Sequence, residues 1–110
     1  MEGKGEIEPL TAKTFDEYIK THNVVIVDFW ASWCMPCQMQ GKQLIGRIAD
    51  LPEGVKLVKV NVDENPSLAQ RFNVKGIPQL YLFVSGRIVE GWTGLTRPEV
   101  IFARAKDFVS

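Results

Sequence analysis

The sequence predicts an α/β domain in which a mixed central sheet of about five strands carries about four helices on its two faces. Three observations predict it. Short β-branched apolar runs alternate with stretches of helical spacing, the run Val24–Trp30 is apolar on both of its sides, and Ser85-Gly86 separates two strand-like runs near the end. The 110 residues suit a single domain over 1–110, long enough to bury a core without cross-links, with the polar residues 1–6 expected to be a flexible terminus.

A short edge strand is expected near Ile7. Thr14-x-x-Glu17 reads as a capping box opening a helix to about Thr21, with Phe15, Tyr18 and Ile19 on one face. In Val24–Trp30, Val25, Val27 and Phe29 alternate with Val24, Ile26 and Trp30, so both faces are covered and the strand belongs at the sheet centre. Cys34–Asp50 reads as one helix with Leu44, Ile45 and Ile48 inward, weakened at Gly41 and Gly46 and stopped by Leu51-Pro52-Glu53-Gly54. Val55–Val62 is a second interior strand, and Asn65-Pro66 opens a helix to about Phe72. Gln79–Val84 and Arg87–Thr93 form a hairpin. Thr96-x-x-Glu99 caps a last helix whose inner face is Val100, Ile101, Ala105 and Phe108.

Composition excludes several functions. Thirteen basic residues balance thirteen acidic ones, so no positive field points to nucleic acid or an anionic membrane. The longest apolar run, Leu80–Val84, is too short to span a bilayer, and Met1–Glu6 lacks the apolar stretch of a secretion signal. A cytoplasmic monomer is expected.

Cys34 and Cys37 are the only cysteines and His22 the only histidine, one ligand short of a closed zinc site, so no metal is expected. A disulfide closing so small a loop would remove only about 2 kcal/mol of unfolded-state entropy. The pair is therefore better suited to reactivity than to stability. Cys34-Met35-Pro36-Cys37 sits where a central strand passes into a helix. Unpaired N–H groups at a helix N-terminus favour a thiolate, so Cys34 is expected to be the more exposed and more acidic thiol. Cys37, in the first turn, can attack Cys34 in a mixed disulfide. Pro36 suits that turn, because its missing N–H would have had no intrahelical partner.

Asp28 interrupts the apolar strand on the face of Ile26 and Trp30. Burial would raise its pKa and make it a proton acceptor or donor near neutral pH. Spacing alone allows equally a structural carboxylate bonded to backbone or paired with a lysine, for which Lys59 qualifies because it interrupts the next strand in the same way.

Asp28-Phe29-Trp30-Ala31-Ser32-Trp33-Cys34-Met35-Pro36-Cys37 resembles the active-site segment of the thioredoxin family, and Lys59–Asp63 and Asn73–Pro78 resemble its next two signature segments in order and separation. The resemblance runs from about Phe15 through the last helix. It implies a thioredoxin fold and a protein thiol–disulfide oxidoreductase with no cofactor beyond a redox-active Cys34–Cys37 disulfide. It further implies Cys34 as attacking thiol, Cys37 as resolving thiol, Asp28 as buried acid/base and Lys59 as its modulator. Pro78 would be a cis-proline facing the sulfurs, with the Ile77 backbone free to pair with a substrate strand. Trp33, Gly76, Ile77, Pro78 and Gly94 would form the surface on which protein substrates dock. Partners would be protein disulfides and a thioredoxin reductase or equivalent electron donor.

Four departures stand out: Met35 replaces the usual glycine, Gln38 a common basic residue, Lys42 stands near a common proline, and Gln79 follows Pro78 where threonine is usual. Strongly oxidising relatives carry His before the second cysteine; Pro36 holds that place, which predicts a reductant. The alternatives are a thiol oxidase or isomerase of the same fold, a non-catalytic binding module, and a metal carrier bridging two chains. Trp30 reads as core, Trp33 as rim, His22 as a solvated loop residue and Asp63-Glu64 as a favourable helix entry; Met35 and Met39 suit contact with apolar substrate side chains, Met39 equally helix packing, and Trp92 has no assignment.

Overall fold

A computed structural model describes residues 7–109; the expectation for residues 1–6 lies outside them. The described chain runs β1 (Glu8–Pro9), α1 (Phe15–Thr21), β2 (Val24–Trp30), α2 (Met35–Gly46), a 3₁₀ turn (Ile48–Asp50), β3 (Val55–Asn61), α3 (Pro66–Arg71), β4 (Gln79–Val84), β5 (Arg87–Thr93) and α4 (Pro98–Lys106). Among the described residues the strands form one sheet in the order β1-β3-β2-β4-β5. β2 pairs parallel with β3 and antiparallel with β4, so the sheet is mixed, as its crossovers and final hairpin require.

β2 sits at the centre because its sequence leaves it no solvent face. Val24 through Phe29 are all buried. Val24 and Ile26 join Leu57, Leu80 and Leu82 under Leu44 of α2 and Ile101, Phe102 and Ala105 of α4. Val25, Val27 and Phe29 join Val58, Val60 and Phe83 under Phe15 and Ile19 of α1 and Leu68 of α3. Two apolar layers thus clamp one strand, each large buried side chain contributing about 1.5–3 kcal/mol. Ser85 and Gly86 both take positive φ (52° and 83°), the geometry a two-residue hairpin needs. Trp92 packs on the α2/α4 layer.

The departures from expectation lie at helix ends and faces. The long helix stops at Gly46 and continues as the 3₁₀ turn; Ile48 packs on the core, whereas Ile45 is exposed. Val100 is exposed too, and Phe102 takes the inner place. Neither capping box forms. Thr14 Oγ1 turns back to accept from the Thr11 N–H (2.9 Å), and Thr96 Oγ1 donates to the Gly94 carbonyl (3.0 Å) while Arg97 takes the N-cap place of α4. Asn65 precedes α3 as expected, but its side chain ties two loops together: Oδ1 accepts from the Ala12 N–H (2.9 Å) and Nδ2 donates to the Asn61 carbonyl (3.1 Å). The two threonines bond backbone within three residues of themselves, whereas Asn65 bonds a segment that tertiary packing brings near.

Leu44→Ala is expected to lower unfolding free energy by about 2–5 kcal/mol, a cavity-forming change in a filled layer. Ile45→Ala should change it by no more than about 0.5 kcal/mol. Urea unfolding of both variants checks the assignment of the two faces.

Candidate active site

At the end of β2 the chain leaves the sheet through Ala31-Ser32-Trp33 and enters α2, with Cys34 as the N-cap. Cys34 and Cys37 form a disulfide. The Cys37 N–H donates to Cys34 Sγ at 3.1 Å, so the sulfur fills the role that a serine or aspartate oxygen has at other helix starts. Met35, Pro36 and Cys37 occupy the first turn as the sequence predicts. Both cysteines are buried, Cys34 at 4% and Cys37 at 2% exposure, a smaller difference than expected. What separates them is direction: Cys34 opens onto a surface groove, whereas Cys37 points with Gln40 and Leu44 into the core side of α2.

Asp28 is buried in the same layer, since strand alternation puts its side chain with those of Val24 and Ile26, on which α2 packs. Its Oδ1 has no hydrogen-bond partner among the described residues. Loss of water raises its pKa from 3.8 to about 7, and attraction to Lys59 opposes part of that rise. Lys59 is the register partner of Asp28 on β3, and its Nζ lies 5.0 Å from the centre of the Trp30 ring. Among the described residues no ion pair involves Asp28. Trp30 is partly buried against the cysteines.

Beside Cys34 lies a groove of about 720 Å³, lined by Trp33, Met35 and Pro36 on one side and by Val62, Val74, Gly76 and Ile77 among those opposite. Trp33 and Met35 are 68% and 71% exposed, an unusual cost in apolar surface at the mouth of a cleft. Trp33 is held by its indole N–H, which donates to Asp63 Oδ2 at 2.7 Å; Asp63 therefore has a role at the site that its reading as a helix entry missed. The Ile77–Pro78 peptide is cis, and the Ile77 carbonyl oxygen stands 3.9 Å from Cys34 Sγ. Pro78 is buried behind that carbonyl, and Gly94 adjoins it through an N–H donated to the Pro78 carbonyl at 2.8 Å. Neither lines the groove.

Gln38 donates to the Ser32 carbonyl at 2.6 Å and so closes the loop that carries Cys34. Met39 is exposed rather than packed. His22 ends α1, with Nδ1 2.9 Å from the Tyr18 carbonyl oxygen and its ring stacked on Tyr18. No group of three metal-ligating side chains comes together among the described residues, and no helix there is long and apolar enough to cross a membrane.

The thioredoxin family model matches residues 6–107. The chain belongs to the thioredoxin family. A thioredoxin from Chlorobaculum thiosulfatiphilum is 35% identical over 107 residues, covering 96% of this chain and 98% of that one. Thioredoxin 1 of Chlorobaculum tepidum is 44% identical over 78 residues, 70% of this chain and 77% of that protein. Among solved structures, a mutant thioredoxin from Halobacterium salinarum superposes with a TM-score of 0.85 at 30% identity, covering 100% and 96% of the two chains. The oxidised mitochondrial thioredoxin 3 of Saccharomyces cerevisiae gives 0.81 at 32% identity, covering 92% and 94%. The protein is thus a thiol–disulfide oxidoreductase of thioredoxin fold, with Cys34 and Cys37 as its redox-active pair.

The raised pKa of Asp28 has a signed consequence for stability. An unfolded Asp28 ionises near pH 3.8 whereas the folded one keeps its proton to about pH 7. Unfolding between those values releases a proton, so the Asp28 contribution is fully present below pH 3.8 and is lost as pH rises through 7. Asp28→Asn removes that loss. In urea unfolding of the oxidised protein, the variant should gain on the natural chain between pH 4 and pH 8 by on the order of 4 kcal/mol. Parallel pH profiles for the two proteins would show that Asp28 is not the group responsible.

Proposed function

We propose that the protein is a reductant of protein disulfides, acting as a monomeric single domain in the cytoplasm, where thiols are kept reduced. The observation that carries the proposal is the placement of Cys34: N-cap of α2, sulfur bonded to a first-turn N–H, opening on an apolar groove. In the reduced protein the Cys34 thiolate attacks one sulfur of a substrate disulfide. The Cys34–substrate bond forms, the substrate disulfide breaks, and the displaced sulfur leaves as a thiolate that takes a proton. Cys37 then gives its proton to Asp28 and attacks Cys34 Sγ. The second substrate sulfur leaves as a thiolate that takes a proton, and the two electrons given to the substrate leave Cys34–Cys37 as a disulfide. The short spacing makes this second step intramolecular and fast.

Asp28 suits the acceptor role because it is buried on the side of α2 toward which Cys37 points and has a pKa of about 7. Lys59 limits how far that pKa rises. Trp33, Gly76 and Ile77 border the groove, with Pro78 and Gly94 beside it, which supports a docked extended segment pairing with the Ile77 backbone. Pro36 in the motif, with no histidine beside Cys37, leaves the reduced thiolate without extra stabilisation and favours the reducing direction. A thioredoxin reductase or an equivalent donor of electrons would restore the dithiol.

Insulin reduction coupled to dithiothreitol tests the assignment. The natural chain should accelerate precipitation of the reduced chains, and Cys34→Ser should fall to the thiol background. Cys37→Ser should accumulate a mixed disulfide with the substrate, visible by non-reducing electrophoresis and lost on adding excess thiol. Background rates from the natural chain would instead favour a binding module.

A further inference from the structure

Gln40 is wholly buried yet polar, and it lies on the inner face of α2, three residues after Cys37. Its amide meets the backbone of Thr96 twice: Nε2 donates to the Thr96 carbonyl at 2.8 Å, and the Thr96 N–H donates to Oε1 at 2.9 Å. A main-chain N–H can only donate and a carbonyl only accept, so this pair needs a side chain that carries one donor and one acceptor side by side. Glutamine and asparagine alone offer that as neutral groups, and glutamine has the longer reach.

The clip holds a turn that is fixed from its other side as well. Gly94, at φ +89°, donates its N–H to the carbonyl of the cis-proline Pro78 at 2.8 Å, and Thr96 Oγ1 donates to the Gly94 carbonyl at 3.0 Å. Just before the turn, Gln79 Nε2 donates to the Trp92 carbonyl at 3.1 Å, and Thr93 Oγ1 donates to Gln79 Oε1 at 2.6 Å. Segment 92–96 is therefore tied to the strand that begins after Pro78 and, among the described residues, takes its side-chain hydrogen bonds from the helix that carries both sulfurs through Gln40, beside the apolar packing of Trp92 on the α2 layer.

We propose that Gln40 is a positioning residue for substrate docking, which holds the Gly94–Leu95–Thr96 turn at a fixed place relative to Cys34. The inference rests on the reading of the Gly94 side as part of the docking surface. A protein disulfide must reach Cys34 and rest on that surface together, so its binding depends on the clip. A small disulfide touches the sulfur alone and does not. Without the amide, the Thr96 N–H and carbonyl lose their partners, and the turn moves toward water to satisfy them.

Gln40→Met keeps the length of the side chain and removes both hydrogen bonds. With insulin as substrate, its KM should rise about five- to tenfold with kcat within about twofold, while its rate with dithiobis-nitrobenzoate stays within about twofold of the natural chain. An equal loss on both substrates would place the effect at the sulfurs or in the fold at large and overturn the proposal. Trp33→Ala separates the inference from the reading beneath it. If Trp33→Ala raises KM for insulin and Gln40→Met does not, the clip is wrong and the docking surface stands. If neither raises it, the docking reading fails and takes the clip with it. The natural chain offers a check that needs no variant. In hydrogen exchange, the Thr96 amide should be protected at least about tenfold more than the amide of exposed Leu95 next to it; equal exchange at the two would overturn the proposal.

Discussion

The hydrogen bond from the Cys37 amide to the Cys34 sulfur joins the fold to its chemistry. It exists because β2 ends where α2 begins, and β2 ends there because a strand apolar on both faces can lie only between two layers of helix and two neighbouring strands. The first amides of α2 have no carbonyl to bond within the helix, and one of them finds a sulfur. The same contact that starts the helix also favours negative charge on the atom that must attack. Stability and reactivity at this point are not separate features.

Asp28 extends the argument inward. The clamp that makes β2 stable also strips water from its one carboxylate, and the resulting pKa of about 7 puts a group that changes charge near neutral pH on the side of α2 toward which Cys37 points. Its neutral form agrees with its surroundings and its charged form does not, so the group that suits it to proton transfer also loses stability as pH rises. Lys59 moderates this without forming an ion pair among the described residues. A local conflict between sequence and environment, one acid in a run of valines, is the mark of a site rather than of a core.

The fold was legible because its strongest signals are periodic. Alternation in Val24–Trp30, the 85–86 turn and the order of elements needed no tertiary knowledge. The cysteines and Asp28 stood out because each breaks the pattern around it, whereas the cis bond before Pro78 was implied by the family resemblance. Helix faces were less so: Ile45 and Val100 have the right spacing for burial, but Leu44 and Ile101 fill the inner positions, and spacing alone does not rank neighbours. Helix caps failed for a related reason. Thr14, Asn65 and Thr96 each have several backbone partners within reach: the threonines bond backward to residues 11 and 94, and Asn65 bonds Ala12, a segment distant in sequence. Gln40 and the Trp33–Asp63 contact were illegible, since a glutamine in a helix and an aspartate in a loop carry no sign that a partner 56 or 30 residues away will meet them.

The central claim is that backbone groups at the start of α2 keep the Cys34 sulfur charged and available. Its most direct measurement is the rate of alkylation of the reduced protein by iodoacetamide as a function of pH, with the modified residue identified by mass. Cys34 should be modified first, and should stay reactive at pH values where a cysteine in an unstructured peptide has become inert. Modification at the peptide's rate across the whole range, or attack on Cys37 before Cys34, would contradict it.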